Sequence, residues 1–228
     1  MPRPIHLNPA TEVADRVLLP GDPQRALAVS SALLREPRML NARRGLWGYT
    51  GTAPDGRRVT VQSTGMGGPS AAIVVEELIA LGARMLVRIG TCGALVPDLE
   101  IGQLVAAEAA IGADGTSTAL GAGGRLDADP ALTAAFVAAG ARPAAVVSTD
   151  LFYDPRDLAD RWRAEGAEAV EMETAAVLAV AARHGARAAC LLAVTDQLSD
   201  GRTRMDDERI EEIGVELGEV ALRALAEA

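Results

Sequence analysis

Residues 69–90 read PSAAIVVEELIALGARMLVRIG. Apolar residues recur at helical spacing as far as Gly82, and then RMLVRIG (84–90) is a short, dense apolar run of strand length. A helix followed directly by a buried strand is one half-turn of an alternating α/β chain, and the same alternation extends in both directions. RVLLP (16–20) predicts a strand and PQRALAVSSALL (23–34) a helix. GLWGYTGTAPDGRRVTVQST (45–64) predicts two strands joined at Pro54-Asp55-Gly56, a hairpin signal. Further on, QLVAAEAAI (103–111), AAVVSTD (144–150) and AACLLAVTD (188–196) predict strands. DPALTAAFVAAG predicts a helix capped by Asp129 with Pro130 in its first position, and ETAAVLAVAARHG (173–185) another. The chain closes with an amphipathic helix over 205–228. The pattern predicts a single α/β domain over 1–228, one sheet between helix layers. The Gly-rich stretch 112–130 predicts a loop.

Composition narrows the function. The 228 residues, 49% of them hydrophobic, are enough for one sizeable core. A net charge of -9 argues against nucleic acid and acidic membranes as partners. Cys92 and Cys190 sit in apolar segments with no metal or disulfide spacing, the first residues carry no signal-peptide core, and no apolar run is long enough to span a bilayer. These features predict a cytoplasmic protein. All 22 basic residues are arginine, which rules out a P-loop or Schiff-base lysine. A bound phosphate must then be held by arginine forks and backbone amides. With only His6 and His184, far apart, no metal is expected.

Two turns fit a phosphate. In LLPGDPQRA (18–26), Asp22 can cap and Pro23 start a helix whose free amides attract an anion. Arg25 opposes the helix dipole there, which an anion between them would relieve. An ordinary turn with a surface arginine is the competing reading. Arg88 lies at the carboxyl end of a buried strand and needs a partner. Gly90-Thr91-Cys92-Gly93 follows it, small enough for close approach of a ligand. Ligands of open α/β sheets bind beyond such strand ends. A structural salt bridge for Arg88 is the alternative.

AVEMETAA (169–176) places Glu171 and Glu173 at the start of an apolar helix. On a helix, residues two apart point about 200° apart, so the two carboxylates are not expected to share one task. Glu171 fits the helix's positive end or the edge of a pocket. Solvated first-turn acids is the plain alternative for both.

PGDPQRA, STGMGGPS (63–70), RIGTCGA (88–94), DLFY (150–153), VEMETAA (170–176) and TDQLSD (195–200) occur in this order. Together they resemble the nucleoside phosphorylases of the purine and uridine phosphorylase type, most of all the bacterial hexameric purine enzymes, from His6 to the last helix. The resemblance implies a three-layer fold around a mixed, partly barrel-like sheet. It also implies a homo-oligomer, a hexamer built as a trimer of dimers. It implies a phosphate site of Gly21, Arg25, Arg88 and Thr91, with Arg44 lent by a neighbouring subunit and Arg43 the lesser candidate. His6 would reach across to the neighbour's 5′-hydroxyl. Met66 and Met172 would line the sugar, with Glu171 at its edge. Glu173 would accept from its 2′- and 3′-hydroxyls, and Phe152 would stack on the base.

The implied reaction is phosphorolysis of a purine (deoxy)ribonucleoside to free base and (deoxy)ribose 1-phosphate, a pentosyl transfer of purine salvage, with phosphate as co-substrate and no cofactor. A leaving purine needs a proton at N7. Asp196, at a strand's carboxyl end, is the candidate acid and Asp200 its rival. Arg209, thirteen residues beyond Asp196, resembles the arginine that assists. Uridine phosphorylase is the nearest alternative: STGMGGPS to RIGTCGA, with Thr91, resembles that branch. However, DPRDLADRW (154–162) lacks the glutamine that reads uracil. A methylthioadenosine or adenosylhomocysteine nucleosidase would not need Arg25 and Arg88, and a non-catalytic nucleoside-binding module would not need the full set.

Overall fold

The structure, a computed structural model, describes residues 4–199 and 202–227. The chain begins with β1 (Arg16–Pro20), which is wholly buried, and turns into α1 (Pro23–Leu33). Asp22 caps that helix by accepting from the Gln24 amide at 2.9 Å, and Pro23 fills the first position, where no amide is needed. β2 (Arg35–Asn41), β3 (Gly48–Thr52) and β4 (Arg58–Gln62) form an antiparallel arm, with β4 parallel to β1. α2 (Gly68–Ala80) and β5 (Met85–Ala94) follow, joined through Gly82 at φ 115°.

β6 (Leu104–Gly112) leads to α3 (Gly115–Ala119) and β7 (Gly124–Asp127), so 112–130 is not the loop expected. Asp114 caps α3 through the Ser117 amide at 2.7 Å, and β7 pairs with β6. A short polar cap and a four-residue hairpin strand carry too little apolar periodicity to be seen in sequence. α4 (Pro130–Ala138), capped by Asp129, precedes β8 (Arg142–Ser148) and α5 (Ala159–Ala164). Then come β9 (Ala169–Glu171), α6 (Thr174–Arg183), β10 (Arg187–Gln197), β11 (Thr203–Arg204) and α7 (Asp207–Glu227).

Strands β5, β10, β6, β8 and β9 close on themselves, because β5 pairs with both β10 and β9. A five-stranded ring is narrow, and small buried side chains let it close: Ala106, Ala107, Ala110, Ala144, Ala169 and Ala193 all lie on these strands. β1 and the β2–β4 arm extend the sheet from the other edge of β5. Helices cover it, with α1 packed on α7 and α2 on α6. This is the mixed α/β, partly barrel-like architecture expected. Among the described residues no helix is long and apolar enough to cross a membrane.

Candidate active site

The carboxyl ends of β1, β5 and β10 open into a cavity of about 700 Å³. On one wall the turn after β1 is laced to the turn before α2: the Thr64 amide donates to Pro20 O at 2.9 Å and the Gly65 amide to Gly21 O at 3.0 Å. Gly65 is at φ 73°, a left-handed conformation that suits glycine. A side chain at Gly21 would come within 3.3 Å of Gly65 O, so both turns stay bare.

Arg25 projects into this cavity and has no hydrogen bond or ion pair among the described residues. Burial lowers its pKa; Asp22 counters this, and the nearby Arg88 charge adds to it. Arginine does not shed its proton in proteins, so a part-buried unpaired guanidinium is a standing demand for an anion. Gly214 of α7 makes its position possible: a Cβ there would lie 2.9 Å from Arg25 Nε.

Arg88 is deeply buried, and its partners are the two glutamates. Its Nε donates to Glu171 Oε2 at 2.9 Å and a terminal nitrogen lies 2.6 Å from Glu173 Oε2. Burial opposes the Arg88 charge, but Glu173 and Glu171 outweigh it and raise its pKa. Gly90 leaves room for this guanidinium, since a Cβ would stand 2.9 Å from its terminal nitrogen.

The expectation that Glu171 and Glu173 point apart is corrected here. Glu171 ends β9, and Glu173 precedes α6 with φ -137°, so no helical geometry separates them. Neither is solvated. Glu171 also accepts from the Ser148 hydroxyl and from the Glu173 and Thr174 amides, the latter two at 2.9 Å. It is the anion at the positive end of α6 and the anchor of Arg88, with its oxygens occupied. Glu173 accepts from the Gly67 amide and faces the cavity. Burial raises its pKa and the Glu171 charge adds to this, against the pull of Arg88.

Thr91, Met66 and Met172 line the same cavity, Met66 being almost fully exposed. Phe152 and Asp196 also line it. Phe152 is 57% exposed and stands edge-on to Tyr153, with ring centroids 5.0 Å apart. Pairing between β5 and β10 slips between Val194 and Asp196, a bulge at Thr195 that turns the Asp196 carboxylate into the cavity. Its Oδ2 accepts from the Thr195 hydroxyl at 3.0 Å.

Arg209 is not brought to Asp196. Its guanidinium is held by Glu212 and Glu216, at 3.1 and 2.6 Å, along one face of α7. Arg202 stands at Asp196 instead. Its Nε and a terminal nitrogen donate to Oδ1 at 3.1 and 3.0 Å, and its guanidinium carbon lies 5.0 Å from the Phe152 centroid. The signal missed was the β10–β11 hairpin, which returns the chain to Asp196 within eight residues. Asp200, the rival acid, lies outside the described residues.

His6 and Arg44 do not line this cavity. His6 Nδ1 is bonded to Glu77 on α2. Arg44 is exposed and at φ 58°, in left-handed backbone that disfavours a non-glycine residue. Arg43 is engaged, donating to Ile5 O at 3.3 Å.

A sequence model of the Phosphorylase superfamily matches residues 15–228. Among relatives, the chain is 38% identical over 231 residues to a protein named purine nucleoside phosphorylase DeoD-type from Geobacillus kaustophilus, covering 96% of this chain and 97% of that one. A protein of the same name from Caldanaerobacter subterraneus subsp. tengcongensis is 40% identical over 212 residues, covering 87% and 89%. One from Roseobacter denitrificans is 36% identical over 225 residues, covering 93% and 94%. With the bare glycine turns, an Arg25 unpaired among the described residues and the order of its motifs all in place, the chain belongs to the phosphorylase superfamily, as a nucleoside phosphorylase of the purine and uridine phosphorylase type.

Proposed function

We propose that this protein cleaves purine nucleosides by phosphorolysis. The observation that carries the reading is Arg25: a part-buried cation with no hydrogen bond or ion pair among the described residues, in a cavity also lined by an exposed aromatic ring and a carboxylate. The names of the relatives at 36–40% identity point to the same reaction.

Phosphate is held by Arg25, Arg88, Thr91 and the amides at Gly21, with Arg44 supplied by a neighbouring subunit. Glu173 accepts from the 2′- and 3′-hydroxyls, Met66 and Met172 flank the sugar, and Phe152 stacks on the base. A phosphate oxygen bonds to C1′ as the bond from C1′ to the base breaks, through an oxocarbenium-like sugar. The bonding pair leaves with the base, and Asp196 gives N7 its proton. The held phosphate dianion also stabilises the positive sugar. Arg209 would have to leave Glu212 and Glu216 to assist.

A homo-oligomer follows from lending His6 and Arg44, and a hexamer is the size that the family resemblance favours. No metal or organic cofactor is assigned. The two histidines are each engaged by a glutamate, His6 by Glu77 and His184 by Glu76. Both cysteines are free, as in a reducing cytoplasm.

The test is a panel of inosine, adenosine, guanosine, uridine and methylthioadenosine, each with and without phosphate. Purine nucleosides should be cleaved, and only with phosphate. Uridine as best substrate would move the chain to the uridine branch. Cleavage in water alone would make it a hydrolase, and no cleavage a binding module.

A further inference from the structure

Glu77 is part-buried under the N-terminal segment and is not part of the reaction described above. Its carboxylate accepts from three successive amides, Ile5 at 2.9 Å, His6 at 3.0 Å and Leu7 at 2.6 Å. It also bonds His6 Nδ1 at 2.8 Å through Oε1. Burial opposes its charge, but the Leu7, His6 and Ile5 amides and the His6 ring together outweigh it, and its pKa is lowered. Glu77 is thus an anion at neutral pH, and an anion accepts hydrogen bonds without donating any. The ring nitrogen facing it must therefore carry the hydrogen. In the neutral imidazole that leaves Nε2 as a lone-pair acceptor, on a side chain that is about one-third exposed.

We propose that Glu77 is a positioning residue that fixes His6 as an outward-facing acceptor, and so makes the neighbouring site selective for nucleosides with a free 5′-hydroxyl. The inference rests on the reading that His6 reaches a neighbouring sugar. An acceptor takes the hydrogen of a 5′-hydroxyl. A 5′-deoxy or 5′-methylthio sugar offers it none and leaves Nε2 desolvated and unpaired, which is where polar sites discriminate most. Two devices set the geometry: the three-amide clamp holds the backbone of residues 5–7, and the Nδ1 bond holds the ring. α2 carries both, and Gly67, which binds Glu173, lies next to its first residue. The helix that positions His6 for the neighbouring site thus also abuts the ribose contact of its own subunit's site.

The experiment compares kcat/KM for inosine and 5′-deoxyinosine in the parent, His6→Ala, Glu77→Ala and the milder Glu77→Gln, whose amide oxygen still accepts from the backbone. The parent should prefer inosine by roughly tenfold, the scale of one hydrogen bond with a desolvated partner. The preference should collapse in His6→Ala and shrink in both Glu77 variants, through loss on inosine while 5′-deoxyinosine is spared. The double variant His6→Ala/Glu77→Ala should discriminate no less than His6→Ala alone. Equal losses on both substrates in the Glu77 variants would reduce Glu77 to an anchor of the N-terminal segment and overturn the inference. So would an undiminished preference in the Glu77 variants beside a lost one in His6→Ala. A preference surviving in His6→Ala would instead refute the placing of His6 at the sugar, and this inference with it.

Discussion

A terminal nitrogen of Arg88 lies 2.6 Å from the Glu173 carboxylate, with both side chains buried. The residue assigned to phosphate and the residue assigned to ribose are thus one ion pair. Whatever draws Arg88 towards phosphate alters the carboxylate that receives the sugar. Removing one partner of such a pair leaves an uncompensated buried charge, which costs about 3–5 kcal/mol. Arg88→Ala should therefore lower both urea stability and phosphate affinity. Unchanged stability would show that the pair contributes nothing to the fold.

Arg25→Ala separates binding from folding. No hydrogen bond or ion pair holds this guanidinium among the described residues, so its loss should leave stability intact. A charge-assisted contact is worth on the order of 1.5–3 kcal/mol, so the phosphate KM should rise roughly ten- to a hundredfold. Parent-like phosphate saturation in the variant would place phosphate elsewhere.

Gly214→Ala should split the same two properties in the opposite way. Alanine inside α7 favours the helix by about 0.5–1 kcal/mol. Its Cβ would stand 2.9 Å from Arg25 Nε and displace a flexible side chain. The variant should be no less stable than the parent, yet need about three- to thirtyfold more phosphate, as for a misplaced binding group. Titrating phosphate at saturating inosine decides it.

The pH dependence follows from Glu173, whose pKa is raised by burial and by Glu171. Protonation removes the acceptor of the ribose hydroxyls. The nucleoside KM should therefore climb as pH falls, beginning above the ordinary glutamate value of about 4.3. For stability the sign is the reverse of the usual carboxylate. A folded pKa above the unfolded one favours folding at low pH, and that contribution fades as pH rises through the folded value. Glu173→Gln should bind nucleosides poorly at every pH and lose the acid-side climb in KM; a climb that persists belongs to another group.

At the base, Asp196→Asn removes the proton and keeps the shape. Turnover of inosine should fall by about 10²–10⁴-fold, the usual share of general acid catalysis. 7-Methylguanosine, whose base leaves unaided, should be largely spared. Arg202→Ala, which frees Oδ1, should show the same selectivity more weakly. Equal losses on both substrates would remove Asp196 from the acid's role.

Lending of residues can be read by mixing subunits. Arg25→Ala weakens its own site and Arg44→Ala a neighbour's, so at limiting phosphate reassembled mixtures should exceed the activity of either variant alone. An active monomer in light scattering would end that account.

The strands and helices with strong periodicity were legible in sequence: β1 and α1, α2 and β5, and the Asp129 cap. β2 was not, because REPRMLN is an exposed edge with no apolar alternation. β9 was not, because three residues carry no period, and its absence made Glu171 and Glu173 look like helix neighbours. The site's membership was largely legible, since Arg25, Arg88, Glu173, Phe152 and Asp196 do line one cavity. Their pairing was not. The resemblance implied Arg209 beside Asp196, whereas a bulge and a two-residue strand bring Arg202 there. Pairings of this kind depend on tertiary register, which no local pattern encodes.

In the proposed reaction phosphate, and not water, takes the sugar. Phosphorus NMR of the enzyme with inosine and limiting inorganic phosphate tests it most directly. The phosphate signal should be converted to ribose 1-phosphate in step with hypoxanthine release, and release should stop when phosphate is spent. Hypoxanthine released with the phosphate signal intact, and free ribose in solution, would contradict it.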